Sequence, residues 1–230
     1  MSTLTLMRSL LSTPGNHENM LEKARSLPAD GLHLDLEDSV PPLEKERARQ
    51  VVCRALPGFA LFGQTVVVRV NSLSSGLIEA DLDSVIMPGV DGISLPKVVS
   101  PRDVAEVDEM ISQRELKAGL SLGSTALFVW IETPGAVVSA YPIACASHRV
   151  RALLLGADDF TREMDIPRTK QGKELFYARW TISVAARAAG VLALDTGYPD
   201  YRDEEGLISE ARLARRLLAM AKAVENRESS

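Results

Sequence analysis

Apolar residues along this chain fall into short runs that each end in a polar or charged residue, and stretches of helical character separate the runs. The runs are Leu6-Met7-Arg8-Ser9-Leu10-Leu11, the segment from Gly31 to Val40, Val66 to Asn71, Gly92 to Lys97, Leu127 to Glu132, Leu153 to Asp158 and Leu192 to Asp195. The helical stretches are Asn19 to Ser26, Leu43 to Ala55, Gly76 to Met87, Pro101 to Gln113, Ala136 to Ser147, Gly172 to Ala189 and Glu204 to Asn226. Strand then helix, repeated seven times, predicts a parallel sheet with crossover helices. The strands read as nearly continuous apolar runs without a wet face, as parallel strands covered on both sides do.

Within Gly31 to Val40 the pattern has period two. Leu32, Leu34 and Leu36 share one side, and His33, Asp35 and Glu37 share the other. Asp38 follows, and Pro41-Pro42 ends the strand. Acids concentrated at the end of a buried strand mark a site. The alternative is that they are solvated or cap the helix that begins near Leu43.

Two architectures accommodate this alternation, a doubly wound open sheet and a TIM-type (β/α)8 barrel, and both bind ligands at the carboxyl ends of their strands. No GxGxxG or GxxxxGK[ST] turn follows any predicted strand, and polar residues end many different strands, which favours the barrel. After the helix from Glu204 no eighth apolar run appears. The expectation is one barrel domain over residues 1–230, with seven recognisable β/α units and the eighth strand missing or truncated.

A net charge of −5 and dispersed basic residues give no footprint for nucleic acid, and 5% aromatic content gives no stacking platform for it. Cys53 and Cys145 form neither a CxxC motif nor a disulfide framework. The opening residues carry Arg8 and Pro14 and no long apolar run, so neither a signal peptide nor a membrane span is expected. The chain reads as a cytoplasmic protein.

Nine stretches, in order, resemble the citrate lyase β-subunit-like branch of the HpcH/HpaI aldolase superfamily, which also contains the malyl-CoA lyases. They are RSLLSTPGN, LDLEDSV, VVVRVN, LPKV, IETPGAV, GADDFTREMDIPRT, ELFYARW, AARAAGVLALDT and YRDEEGL, spread from Arg8 to Leu207. The resemblance implies that Glu132 and Asp158 hold Mg²⁺, a hard cation suited to carboxylate oxygens. It implies that Arg69 grips the oxo-acid oxygens with Arg8 beside it, and that Glu37 and Asp38 lie near the metal and the arginines. A guanidinium fork suits a carboxylate. Taken alone, Glu132 and Asp158 are also candidate helix caps, and Arg69 is a candidate buried ion pair with Glu37 or Asp38. Lys97 is a candidate phosphate or carboxylate contact or a solvated strand-end lysine, and Arg168 is a candidate contact for CoA or a phosphate. Asp35 is read as supporting and His33 as packed.

The activity the resemblance implies is Mg²⁺-dependent carbon–carbon lyase chemistry. It would act on a citryl- or malyl-type 3-hydroxyacyl thioester of CoA or an acyl carrier, with oxaloacetate or glyoxylate as the 2-oxo acid. The alternatives are an aldolase acting on free hydroxy-oxo acids through a pyruvate enolate, and a non-catalytic oxo-acid-binding or assembly subunit. Relatives of this branch continue into an eighth strand and a C-terminal portion that, in several members, closes over a neighbouring subunit's site. An unfinished barrel would expose strand edge and apolar surface, so a homo-oligomer, a trimer by family habit, is the expected assembly.

Overall fold

A computed structural model describes residues 7–59, 63–200, 202–216 and 221–225. In chain order the elements are β1 (Ser9–Pro14), α1 (Glu18–Arg25), β2 (Gly31–Asp35), α2 (Lys45–Phe59), β3 (Thr65–Arg69), α3 (Ile78–Val85), β4 (Gly92–Leu95), α4 (Pro101–Lys117), β5 (Ala126–Ile131), α5 (Pro134–Val138), α6 (Ala140–Ala144), β6 (Val150–Leu155), α7 (Ala157–Glu163), α8 (Phe176–Ala189), β7 (Leu192–Asp195), α9 (Glu204–Arg216) and β8 (Ala221–Glu225). The strands pair in parallel in sequence order and close into a barrel.

The expected TIM-type barrel is therefore present, with seven β/α units in order. Where the sequence predicts the eighth strand missing or truncated, the structure has a strand, β8, as long as β2 and β3. β8 pairs Ala223 with Leu10 of β1 and Ala221 with Leu194 of β7. Its sequence, Ala-Lys-Ala-Val-Glu, has no apolar run and consists mostly of good helix formers, which is why the helix predicted from Glu204 to Asn226 overran it. Pairing on both sides overrides that propensity, and α9 ends at Arg216.

Period-two alternation splits the apolar side chains into two cores. Leu32, Leu34, Val66, Val68, Ile93, Leu127, Val129, Leu153 and Leu155 face outward into the layer shared with the helices. Leu10, Val67, Phe128, Ala152, Leu154 and Leu194 fill the barrel interior. Phe128 fits because its ring lies over Gly92 of β4, where a Cβ would be 2.9 Å from it. Buried ion pairs tie the helices to the strands or to each other: Arg49 to Asp81 (3.0 Å), Arg149 to Glu115 (2.7 Å) and Arg179 to Asp195 (2.9 Å). No described helix is long and apolar enough to cross a membrane.

Candidate active site

The carboxyl ends of the strands open into a cavity of about 410 Å³ lined by residues from six strand ends, among them Ser12, Asp38, Arg69, Trp130, Glu132 and Asp159. Arg69 is the last residue of β3. Its Nε and Nη2 donate to the two Asp35 carboxylate oxygens at 2.7 and 2.6 Å. Its Nη1 stands 3.3 Å from Glu37 and 3.9 Å from Asp38. The Trp130 ring lies 5.4 Å from its central carbon. Asp35 is completely buried and also accepts from the Glu37 and Ser39 backbone N–H groups and from the Ser39 hydroxyl. Burial alone would raise its pKa, but the Arg69 charge and these donors hold it well below the usual carboxylate range. Two of the guanidinium's faces are thus fixed by the protein, and Nη1 faces the mouth's acids.

Glu132, one residue beyond β5, is buried at the same mouth. Among the described residues its hydrogen-bond partner is the Lys97 backbone N–H, which donates to Oε1 at 2.5 Å. Lys97 reaches it by taking a left-handed backbone (φ +55°), which costs a non-glycine residue about 1–2 kcal/mol. Burial and then the Asp159 charge push the Glu132 carboxyl up to about 8. Gly156, between β6 and α7, makes room for this carboxylate, since a Cβ there would sit 2.5 Å from the Glu132 Cβ.

The structure distributes the expected site residues unevenly. Arg69, Glu37, Asp38, Lys97 and Glu132 converge on the mouth. The Lys97 ammonium bonds Glu37 at 2.5 Å and approaches Asp38 at 3.4 Å, so it is part of the acid–base lattice rather than a free strand-end lysine. Arg8 does not join them. It precedes β1 at the amino end of the barrel, is 73% exposed and forks onto Asp30 (2.7 and 3.1 Å), so the far side of the barrel separates it from the substrate position expected of it. Arg168 is 13% exposed and is occupied by Asp158 (2.5 Å) and the Gly197 carbonyl (2.7 Å). It staples the α7 start to the β7 loop, and its donors there are already engaged.

Asp158 and Asp159 occupy the first turn of α7 and point in different directions. Asp158 is 68% exposed and turned to Arg168, whereas Asp159 is 16% exposed, pairs with Arg162 at 2.6 Å and is the carboxylate whose charge Glu132 feels. Sequence reasoning also passed over Ser12, Trp130 and Thr196, which line the cavity. Their signal was the same inward register that located Asp35.

A carboxylate driven toward protonation by burial and then by a second carboxylate is the arrangement a divalent cation relieves, so the donor set fits Mg²⁺. Among the described residues no three acidic, histidine or cysteine side chains could hold an ion by themselves. An ion here would rest on two carboxylates, with its other positions left to water or ligand oxygens, as Mg²⁺ prefers.

The HpcH/HpaI aldolase/citrate lyase family profile matches residues 8–224. Citrate lyase subunit beta of Haemophilus influenzae is 40% identical over 214 residues, 93% of this chain and 74% of that protein. Mitochondrial citramalyl-CoA lyase of Rattus norvegicus is 32% identical over 217 residues, 90% of this chain and 64% of that protein. The solved citrate lyase beta subunit from M. tuberculosis, complexed with oxaloacetate and magnesium, matches with a TM-score of 0.81 at 27% identity, covering 98% of this chain and 94% of that one. Barrel, mouth and relatives together define an enzyme of the carbon–carbon lyase class. The chain belongs to the HpcH/HpaI aldolase/citrate lyase family.

Proposed function

We propose that this chain is a Mg²⁺-dependent lyase that cleaves, or in reverse forms, a citryl- or malyl-type 3-hydroxyacyl thioester. The products would be a 2-oxo acid, oxaloacetate or glyoxylate, and an acyl thioester of CoA or a carrier. The observation that carries this reading is the meeting, in one mouth, of an arginine fixed on Asp35 and a buried Glu132 beside Asp159. We assign the metal to Glu132 and Asp159, in place of the expected Asp158, because Asp158, though at the cavity wall, is exposed and ion-paired to Arg168, whereas Asp159 is the carboxylate whose charge bears on Glu132.

Bound there, Mg²⁺ supplies a Lewis acid for the carbonyl and carboxylate oxygens of the oxo acid. The chain's own residues do the rest. Arg69 offers Nη1 to an oxo-acid oxygen, and Asp35 keeps the guanidinium plane from turning away. Glu37 holds Lys97, whose backbone N–H in turn orients Glu132. In the condensing direction the thioester enolate carbon adds to the oxo-acid carbonyl carbon and the carbonyl π pair moves onto its oxygen, where the charge meets Arg69 already in place, so little reorganisation is required; cleavage runs the same step backward and returns the charge to the thioester enolate.

The assembly we infer is a homo-oligomer, with a trimer as the specific form. An apolar groove between α5–α6 and α8, where Val138, Tyr141, Tyr177 and Val184 are exposed, supports association.

The test is a product assay with citryl-CoA and malyl-CoA, with and without Mg²⁺, on the wild type and on Arg69→Ala. The expected result is metal-dependent release of oxaloacetate or glyoxylate, reduced by about two to three powers of ten in the variant. Cleavage only of free hydroxy-oxo acids, or near-normal turnover by Arg69→Ala, would contradict the reading.

A further inference from the structure

Beneath the Arg69 clamp a polar chain crosses the barrel interior from β1 to β5. Ser12 Oγ lies 3.2 Å from His33 Nδ1, His33 Nε2 lies 2.9 Å from Ser94 Oγ, and Trp130 Nε1–H donates to Ser94 Oγ at 2.7 Å. His33 and Ser94 are buried, whereas Ser12 and Trp130 reach the cavity wall. Burial, reinforced by the Arg69 charge, drives the His33 pKa down to about 3, so the ring is neutral and carries one N–H.

Counting protons along the chain decides which nitrogen carries it. Indole N–H can only donate, so Ser94 Oγ accepts from Trp130. If His33 Nε2–H also donated to Ser94, the Ser94 hydroxyl proton would be buried without an acceptor among the described residues, a loss that folded proteins avoid. With the other tautomer every buried proton is placed: Ser94 O–H donates to Nε2, and Nδ1–H donates to Ser12 Oγ. The Ser12 oxygen then already accepts, and its own proton has no protein partner among the described residues. It is left at the wall of the cavity that also holds Arg69 and Glu132.

We propose that Ser12 is a substrate-binding residue whose hydroxyl, oriented by the His33–Ser94–Trp130 relay, donates to an oxygen of the 2-oxo acid held by Arg69. This inference rests on the proposed oxo-acid function of the mouth. The relay fixes the direction of donation, so the ligand must present an acceptor at that point, a carboxylate or carbonyl oxygen. Ser12 thereby adds a neutral donor beside the guanidinium and selects for oxygen-rich acids over ligands with an apolar group there.

Two measurements on the full chain test it. The first is ¹⁵N NMR of the His33 ring without ligand. Protonation at Nδ1 is expected, and protonation at Nε2 would overturn the proposal because Ser12 would then donate to His33. The second is calorimetry of Mg²⁺ and then oxaloacetate or glyoxylate binding to wild type and Ser12→Ala. The variant should bind Mg²⁺ as the wild type does and the oxo acid about tenfold more weakly, the effect of losing one hydrogen bond to a charged group. Equal oxo-acid affinity in the two proteins would overturn the role of Ser12 and leave the function intact. Failure of the wild type to bind any oxo acid would overturn the function and this role with it, whatever the tautomer.

Discussion

Glu132 carries a consequence that belongs to a single side chain. In the metal-free protein its carboxyl titrates near 8, against 4.5 for the ordinary group, chiefly because it is buried and secondly because Asp159 is close. A raised carboxyl pKa means that the folded chain keeps a proton the unfolded chain has lost. The stability this gives is complete below pH 4.5 and declines as pH rises to about 8, by roughly 1.4 kcal/mol per pH unit. Urea unfolding of the metal-free protein across that window should show the slope, and both Glu132→Gln and saturating Mg²⁺ should flatten it. An identical slope in Glu132→Gln would remove Glu132 as its source. The shared side of His33, Asp35 and Glu37 was legible from period-two alternation, whereas Arg69, set in the unbroken apolar run Val66 to Val70, was reached only through the family resemblance. The proposed assignment of the metal to Asp159 in place of Asp158 was legible in neither way. Adjacent residues on a helix point about 100° apart, so the choice depends on α7, a helix that the pattern of apolar runs did not reveal. Arg8 failed for a different reason. A charged residue within an apolar run does not announce which end of the strand it occupies, and Arg8 precedes the first residue of β1.

At the scale of elements, the metal pair we propose at Glu132 and Asp159 depends on the junction between β6 and α7. Gly156 ends the strand run and precedes the helix whose first turn brings Asp159 round, and the glycine leaves the space that Glu132 fills. Gly156→Ala should retain the barrel's circular dichroism while weakening Mg²⁺ binding at least about tenfold, because the added methyl displaces the Glu132 carboxylate; about 1.4 kcal/mol of misplacement suffices for that. Unchanged Mg²⁺ affinity would show that the carboxylate has no need of the space. Helix starts with chemical signals were readable in the sequence. α4 begins at Pro101, its predicted first residue, and the structure adds a Ser100–Asp103 capping box ahead of it. The predicted helix from Ala136 to Ser147 is instead two short helices, α5 and α6, meeting at Ser139, whose backbone leaves the helical region. An apolar periodicity continues across such a break and so conceals it.

The whole molecule is a closed parallel ring whose strand order the alternation of runs and helices foretold, and whose last strand it did not. Closure between β7 and β1 depends on backbone pairing by β8, a contribution with no hydrophobic signature. Closure matters to the site because Ser12 and Glu132, from strands far apart in sequence, line one cavity at the barrel mouth. The central claim is that this ring brings Glu132 and Asp159 onto one cation beside Arg69. Anomalous diffraction from crystals soaked with Mn²⁺, which shares the octahedral oxygen preference of Mg²⁺, together with oxaloacetate tests it most directly. The account predicts a peak bridging the Glu132 and Asp159 carboxylates with the oxo acid reaching Arg69; a peak held by Asp158 instead, or no peak in the mouth, would contradict it.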